Sequence, residues 1–333
     1  MRVPAKRVAI DIGSQTIKVI EGIANQGSFD IRRISLAGNP VADVRPGPGS
    51  EEQLSLGLFL RDYLRRLEVK SRLCVSSVAG EEVLLHYFDI PEIPPEEIQS
   101  LVEVELAEVF PQGWSNLEYD YQVIKHGEKK TVLLAGYPKK RCDFLVQAFS
   151  QAGLRLVVMD VDSLALANLM FFTGKFQGGT GLTINVGAKV TNMTLVEENG
   201  FLLARDIPFG GSVISQELSR RSQFSLVEVE NLKKNPGERT VSVITRELAS
   251  DMVTEVVTAV RYFTSRTSRQ VQKFFLCGGS APLPGLKESL EEGLKIPGEI
   301  WNPLAGVPGI PLEVETKGYT FAVALGLLVR RFP

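Results

Sequence analysis

The sequence predicts an α/β fold made of two related halves that face each other across a cleft. Strand-like apolar runs alternate with stretches at helical spacing along most of the chain. A strand–glycine turn–strand rhythm occurs twice, as VAIDIGSQTIKV from Val8 and as LTINVGAKVTNMTLV from Leu182. In the second copy Asn185 stands where Asp11 stood, and Gly187 where Gly13 stood. The 333 residues, 44% of them hydrophobic, exceed what one small core needs and suit two.

Residues 7–38 read as three strands around glycine turns, and PVADVRPGPGS at 40–50 is a loop by its proline and glycine content. Ser50 with Gln53 makes a capping-box start, after which Leu56, Phe59, Leu60, Tyr63, Leu64 and Leu67 place one buried stripe on a helix. LCVSSVAG and VLLHYFDIP follow as strands. Pro94 and Pro95 open a second helix with Ile98, Leu101, Val102, Leu106 and Val109 on one face. Strands YDYQVIKHG and TVLLAGYP come next, then the helix KRCDFLVQAFSQAG, stopped by Gly153. The helix–strand–strand–helix block at 85–155 reads as a compact insert.

Beyond it, LRLVVMDVDS is a buried strand ending in acids and SLALANLMFF an apolar helix. The second hairpin occupies 181–206, and IPFGG leads into the helix SVISQELSRR. A short helix carries VEVENLKK, and one long helix is expected from Val241 toward Thr267. QVQKFFLCGGSAPLPGLKESL reads as strand, glycine turn and helix, and TFAVALGLLVRRF as the closing helix. The expected division is a first lobe at 1–84, completed by 156–180 and 318–333, an insert at 85–155, and a second lobe at 181–317.

Composition removes several function classes. A formal net charge of −2 offers no global field for nucleic acid or anionic lipid. The basic runs Arg61–Arg72 and Lys139–Arg141 read as solvated surface. Cys74, Cys142 and Cys277 form no C-x-x-C pair, which argues against a zinc ribbon or disulfide framework and fits a reducing compartment. MRVPAKRVAID has no apolar h-region, and no run has the ~18 apolar residues of a membrane span. The expected location is the cytoplasm. His86 and His126 sit in no metal spacing, and G-x-S-x-G, H-E-x-x-H and P-loop patterns do not occur.

A hairpin turn of glycine and small polar residues aims consecutive backbone N–H groups at one point, a concavity that takes phosphate oxygens. Lys18 would add a cation, and Asp11 a carboxylate of the kind magnesium favours. Two such hairpins from opposite halves would hold the ends of a triphosphate. CGGSAPLPG at 277–285 offers a glycine platform for a nucleoside.

This ordered set resembles the signatures of the actin-like ATPase superfamily. DIGSQTIK is similar to its first phosphate signature, INVGAKVTNMTLV to the second and LCGGSAPLPGL to the adenosine signature. EYDYQV, GYPKK, DVDSLAL, RDIPFGGSVIS, KIPGEIWNPL and AVALGLLVRR sharpen the resemblance to the type IV pilus assembly protein PilM family, over essentially the whole chain. It implies a bilobal actin-like fold with an inserted subdomain in the first lobe, placed as in FtsA. It also implies ATP and Mg²⁺ as ligands. Carried over by position, Asp11 would sit near magnesium, directly or through water, while Gly13, Ser14, Gln15, Thr16 and Lys18 hold phosphates. Gly187 and Ala188 would form the second phosphate turn beside Asn185, and Gly278, Gly279 and Ser280 would flank the adenosine. Gly211, Glu230 and Lys233 would close the base and ribose side. The implied partner is the N-terminal cytoplasmic tail of an inner-membrane pilus protein of the PilN type, with pilus motor ATPases as further partners, which would make the protein peripheral to the inner membrane.

Asn185 departs from the family, which usually has Asp there. Losing that charge weakens metal binding and water activation, so turnover is expected to be slow or absent. The acids nearest to orient a water are Asp160 and Asp162, and Asp162 with Ser163 also reads as a helix N-cap, the stronger of the two readings. FPQGWSN at 110–116 is a second departure, bearing on the insert's surface. Two rivals share the phosphate turns. A sugar kinase needs a carboxylate base and a polar acceptor pocket, for which 85–155 shows no obvious cluster. A cell-division homologue of the FtsA type would be expected to carry an amphipathic membrane helix after a linker, which RRFP does not supply, whereas actin-type filaments stay open and sedimentation with ATP would test them.

Overall fold

The structure, a computed structural model, describes residues 6–25, 27–41, 48–111, 113–126, 129–176, 179–197, 200–235, 237–267 and 269–330. Residues 1–5, most of the loop expected at 40–50 and the closing RFP lie outside the described residues.

Lobe one begins with β1 (Arg7–Ile12), β2 (Thr16–Asn25), β3 (Ser28–Gly38), α1 (Glu51–Arg66) and β4 (Leu73–Val78). The insert holds β5 (Leu84–Ile90), α2 (Pro95–Val109), β6 (Leu117–His126) and β7 (Lys129–Pro138), and leads into α3 (Lys139–Gln151). The chain returns through β8 (Arg155–Val161) and α4 (Asp162–Thr173). Lobe two then has β9 (Thr180–Val186), β10 (Thr191–Glu197), β11 (Gly200–Ile207), α5 (Gly211–Ser222), α6 (Leu226–Lys233), α7 (Arg239–Leu248), α8 (Ser250–Thr267), β12 (Phe274–Cys277), α9 (Leu286–Leu294) and β13 (Gly298–Ile300). Short α10 (Leu312–Glu315) and apolar α11 (Ala322–Val329) close the described chain.

The internal symmetry is explicit in the sheets. One has the order β3-β2-β1-β4-β8 and the other β11-β10-β9-β12-β13. In each, an antiparallel meander continues into two parallel strands at one edge. A core shared by α4 and α11 runs between the lobes, joining Ala9, Ile20 and Val75 of one to Val196, Ala204 and Phe275 of the other. The two helices pack at backbone distance, since a Cβ on Gly326 would stand 2.0 Å from the Ala165 carbonyl.

The insert has its own sheet, β5-β7-β6. α2 lays Ile98, Val102 and Leu106 on its Val132 and Leu134. The apolar face of α3 goes elsewhere: Phe144, Ala148 and Phe149 share a core with Leu56, Leu60 and Leu64 of α1.

Two local readings differ from the structure. Ser50 caps α1 by accepting from the Gln53 N–H, but Gln53 Oε1 reaches back to the Gly49 N–H, one residue before the cap. The long helix expected from Val241 is two helices, with Ala249 capping the first. The run carries no Gly or Pro at the break, so the bend follows from packing: α7 lies on α5 and α9, whereas α8 lies on α9 and β11.

Candidate functional site

The two lobes carry hairpin turns built in the same way. The register of β1 and β2 sets Asp11 opposite Lys18, and their nearly buried side chains form an ion pair at 3.1 Å. The turn closes where the Gly13 N–H donates to the Thr16 carbonyl at 3.0 Å. A Cβ at Gly13 would stand 3.0 Å from Lys18 Nζ, so the ammonium lies over the turn. Asn39 braces it: its Nδ2 donates to Gly13 O and its backbone N–H to Gln15 O, each at 2.9 Å. Sequence reasoning missed Asn39, whose one local signal is the Asn-Pro step that ends the strand.

In lobe two the matching register sets Asn185 opposite Asn192. Asn185 Nδ2 donates to Asn192 Oδ1 at 2.8 Å, and Asn192 Nδ2 donates to Asp206 Oδ1 on β11 at 2.8 Å. Asn185 Oδ1 accepts the Cys277 thiol at 3.6 Å, so both ends of this amide are engaged inside the lobe. The turn closes from the Gly187 N–H to the Val190 carbonyl at 2.9 Å.

That second turn is bonded to two other loops. Gly187 O accepts from the Gly211 N–H at 3.0 Å and from the Ser280 hydroxyl at 2.8 Å, while Ala188 O accepts from the Ser212 N–H at 2.8 Å. Gly278 has φ +92°, and a Cβ there would stand 2.5 Å from Val186 O, so the position admits glycine alone. Gly279 beside it faces open space. Lys233 Nζ donates to Gly211 O at 3.1 Å, Ser215 Oγ at 2.8 Å and Glu230 Oε1 at 2.9 Å, and Ser215 donates to Glu230 at 2.6 Å. Burial works to raise the Glu230 carboxyl, but the Ser215 and Lys233 bonds outweigh it and hold the group below its ordinary value. Ser215 was also missed; its place four residues after Gly211 on one helix face is the signal.

The cap reading of Asp162 is overturned. Val161 holds the cap position without a side-chain bond, and Asp162 is the first helical residue of α4. Its carboxyl accepts from Ser77 Oγ at 2.6 Å. Burial, then the negative charges of Asp11 and Asp206, push it well above the usual carboxylate range, against the lesser pull of Ser77 and Lys18. Asp160 is committed elsewhere, 3.1 Å from Arg330 Nε. His86 pairs with Glu105 at 2.7 Å on the insert, and the His126 side chain lies outside the described residues. Among the described residues no set of three His, Cys, Asp or Glu side chains converges as a metal cage.

The sequence-expected residues thus fall into two groups, one on each lobe. Asp11, Gly13–Thr16 and Lys18 form the lobe-one side. Asn185, Gly187, Ala188, Gly211, Glu230, Lys233 and Gly278–Ser280 form a continuous lobe-two side.

A family model described as type IV pilus assembly protein PilM matches residues 9–332. Among solved structures the chain is similar to one described as the PilM–PilN type IV pilus biogenesis complex, with a TM-score of 0.84 and 21% identity, covering 98% of both chains. It is also similar to the ethanolamine utilization protein EutJ from Carboxydothermus hydrogenoformans, with a TM-score of 0.59, 16% identity and coverage of 98% of this chain and 90% of that one. MreB5 of Spiroplasma citri bound to ADP matches with a TM-score of 0.54 and 9% identity, over 96% of this chain and 94% of that one. At these identities the likeness is one of fold, the actin-like ATPase fold.

Proposed function

The chain belongs to the type IV pilus assembly protein PilM family, and we propose that it is an ATP-binding scaffold that docks the cytoplasmic tail of an inner-membrane pilus protein. The observation that carries the nucleotide reading is the joining of glycine loops far apart in sequence: Gly187 O takes hydrogen bonds from both Gly211 and Ser280. On this reading the N–H groups of Gly13–Thr16 and of Gly187 and Ala188 take phosphate oxygens, and Lys18 supplies the cation. Gly278 and Gly279 accept the nucleoside face, which the open space at Gly279 suits, with Gly211, Glu230 and Lys233 on its far side.

Magnesium, when bound, neutralises phosphate charge. Asp11, paired with Lys18 at 3.1 Å, is the carboxylate that would hold the ion, directly or through water. Slow or absent turnover follows from two features. Asn185 carries no charge and has both ends of its amide engaged. Asp162, an acid expected to orient a water, has its carboxyl already bonded to Ser77 Oγ at 2.6 Å. The nucleotide is then a structural and switching ligand.

The solved PilM–PilN complex supports a partner of the PilN type. A short tail docking beside the insert, as an added strand or through apolar anchors, would hold the protein at the inner membrane. None of the described helices is long and apolar enough to cross a membrane itself.

Calorimetric titration of ATP with and without magnesium tests the nucleotide reading. The expected result is magnesium-dependent binding near micromolar, about 8 kcal/mol. Lys18→Ala should weaken it about 100-fold, roughly 2.7 kcal/mol. Unchanged affinity in a folded Lys18→Ala protein would overturn the site assignment, and no binding in either condition would leave a scaffold that works without nucleotide.

A further inference from the structure

A continuous run of hydrogen bonds leaves the second hairpin, crosses to lobe one and ends where the insert begins. Asn185 donates to Asn192 and Asn192 to Asp206, each at 2.8 Å. Asp206 Oδ2 then accepts from the backbone N–H of Gly80 at 2.8 Å. Gly80 opens the turn that launches β5, which closes from the Val83 N–H to the Gly80 carbonyl at 3.0 Å. A second link runs alongside. β11 is the edge strand of its sheet, and its Ala204 N–H donates to the Tyr87 hydroxyl on β5 at 2.8 Å. The turn that leads into the insert and the insert's first strand are therefore each tied to lobe two.

The relay has a fixed polarity. Asn192 must turn its oxygen to Asn185 and its nitrogen to Asp206; the flipped amide would set nitrogen against nitrogen and oxygen against carboxylate. Asp206, receiving from Asn192 on one oxygen and Gly80 on the other, has no equivalent neutral substitute. A change at Asn185 is thus felt at Asp206, and a change at Asp206 releases the backbone at Gly80.

We propose that this relay is a device coupling the second hairpin to the insert, with Asp206 and Tyr87 as positioning residues that set the insert according to the state of Asn185. It rests on the nucleotide reading only for the identity of the ligand that acts on the hairpin. A ligand that draws the Asn185 amide away from Asn192 loosens the hold on Asp206, and β5 gains freedom relative to lobe two.

Hydrogen–deuterium exchange of the full chain, without nucleotide, tests the relay. Asn185→Asp replaces a donor by an acceptor of the same shape, facing Asn192 Oδ1. Amides of residues 84–90 should then exchange about fivefold faster or more, although Asn185 lies in the other lobe. Asp206→Ala should do the same, and the double variant should be no faster than Asp206→Ala alone, because one relay cannot be broken twice. Tyr87→Phe, which removes a single hydroxyl, keeps the proposal open to refutation if an Asp206 variant does not fold. It should raise exchange at 84–90 and at 200–207. An effect of Asn185→Asp confined to 180–197, or additive effects in the double variant, would overturn the coupling. Failure of ATP to bind in calorimetry sinks the nucleotide reading alone, since these exchange results judge the relay without it.

Discussion

In lobe one, Asp11 and Lys18 face each other across β1 and β2 as an ion pair, whereas at the matching register in lobe two Asn185 and Asn192 face each other as an amide pair. The frames around them scarcely differ: the turns close at 3.0 and 2.9 Å, and both meanders run into two parallel strands. What differs is where the charge sits. Lobe one keeps a carboxylate on its first strand and neutralises it with a lysine. Lobe two has moved its carboxylate out to the third strand, as Asp206, where neutral donors receive it. Burial raises Asp206, and the Asn192 and Gly80 bonds only partly offset that. Topology therefore fixes two equivalent turns, and single side chains decide that the strands behind one face each other through an ion pair and those behind the other through an amide pair.

The largest way to break the comparison is Gly278→Ala. The left-handed φ costs an alanine about 1–2 kcal/mol, and its Cβ would press on Val186 O at 2.5 Å and on Asn185 Oδ1 at 2.7 Å. We expect a stability loss of about 3 kcal/mol by urea denaturation, with the Asp11–Lys18 side left intact. A loss below about 1 kcal/mol would mean that the third turn does not hold the lobe-two amide pair in place.

The hairpins were legible in the sequence because everything that forms them is local: alternation, a glycine turn and a register set by turn length. The glycine loops at 211 and 278 were legible as motifs, and their joining through Gly187 O follows from the topology those motifs imply. Asp206 was not legible. RDIPFGG reads as a strand leaving the sheet, and the carboxylate acquires its role only from Gly80, 126 residues away in the chain. Asp162 failed for the same reason. Asp-Ser before an apolar run is a local cap pattern, but a hydroxyl 85 residues away, on Ser77, takes the carboxyl instead. The break at Ala249 lacks any local signal, because helical periodicity continues across it while the packing partners change.

Asp162 offers a smaller effect that sharpens the electrostatic contrast. Its carboxyl is raised by burial and by the charges of Asp11 and Asp206, so the folded state binds its proton more tightly than the unfolded chain does. Stability must then fall as pH rises from the unfolded value, about 3.9, through the raised folded value. Asp162→Asn keeps an acceptor for Ser77 and removes this dependence. The variant should match the parent near pH 4 and exceed it at pH 7, by about 1.4 kcal/mol for each unit of the shift. Denaturation at the two pH values decides it, and a variant less stable at pH 7 would show the ionised carboxylate to be favourable in the cleft.

The smallest effects come from the two positions where the lobes match most closely. A Cβ on Gly13 would lie 3.0 Å from Thr16 O, and one on Gly187 would lie 2.9 Å from Val190 O. Neither has a left-handed φ, so alanine meets crowding without backbone strain, and part of the cost returns through a less free unfolded chain. Both Gly13→Ala and Gly187→Ala should cost about 1 kcal/mol or less. The difference between them isolates the lysine, because the Gly13 methyl also crowds Lys18 Nζ at 3.0 Å, and no cation stands in that place at Gly187. That ammonium ends a flexible side chain and can swing away, but only by loosening its pair with Asp11. Gly13→Ala should therefore weaken ATP binding more than Gly187→Ala while matching it in stability. Equal losses of affinity would show that the two cradles act on the nucleotide through their backbones alone and that the charge difference between them does not reach the ligand.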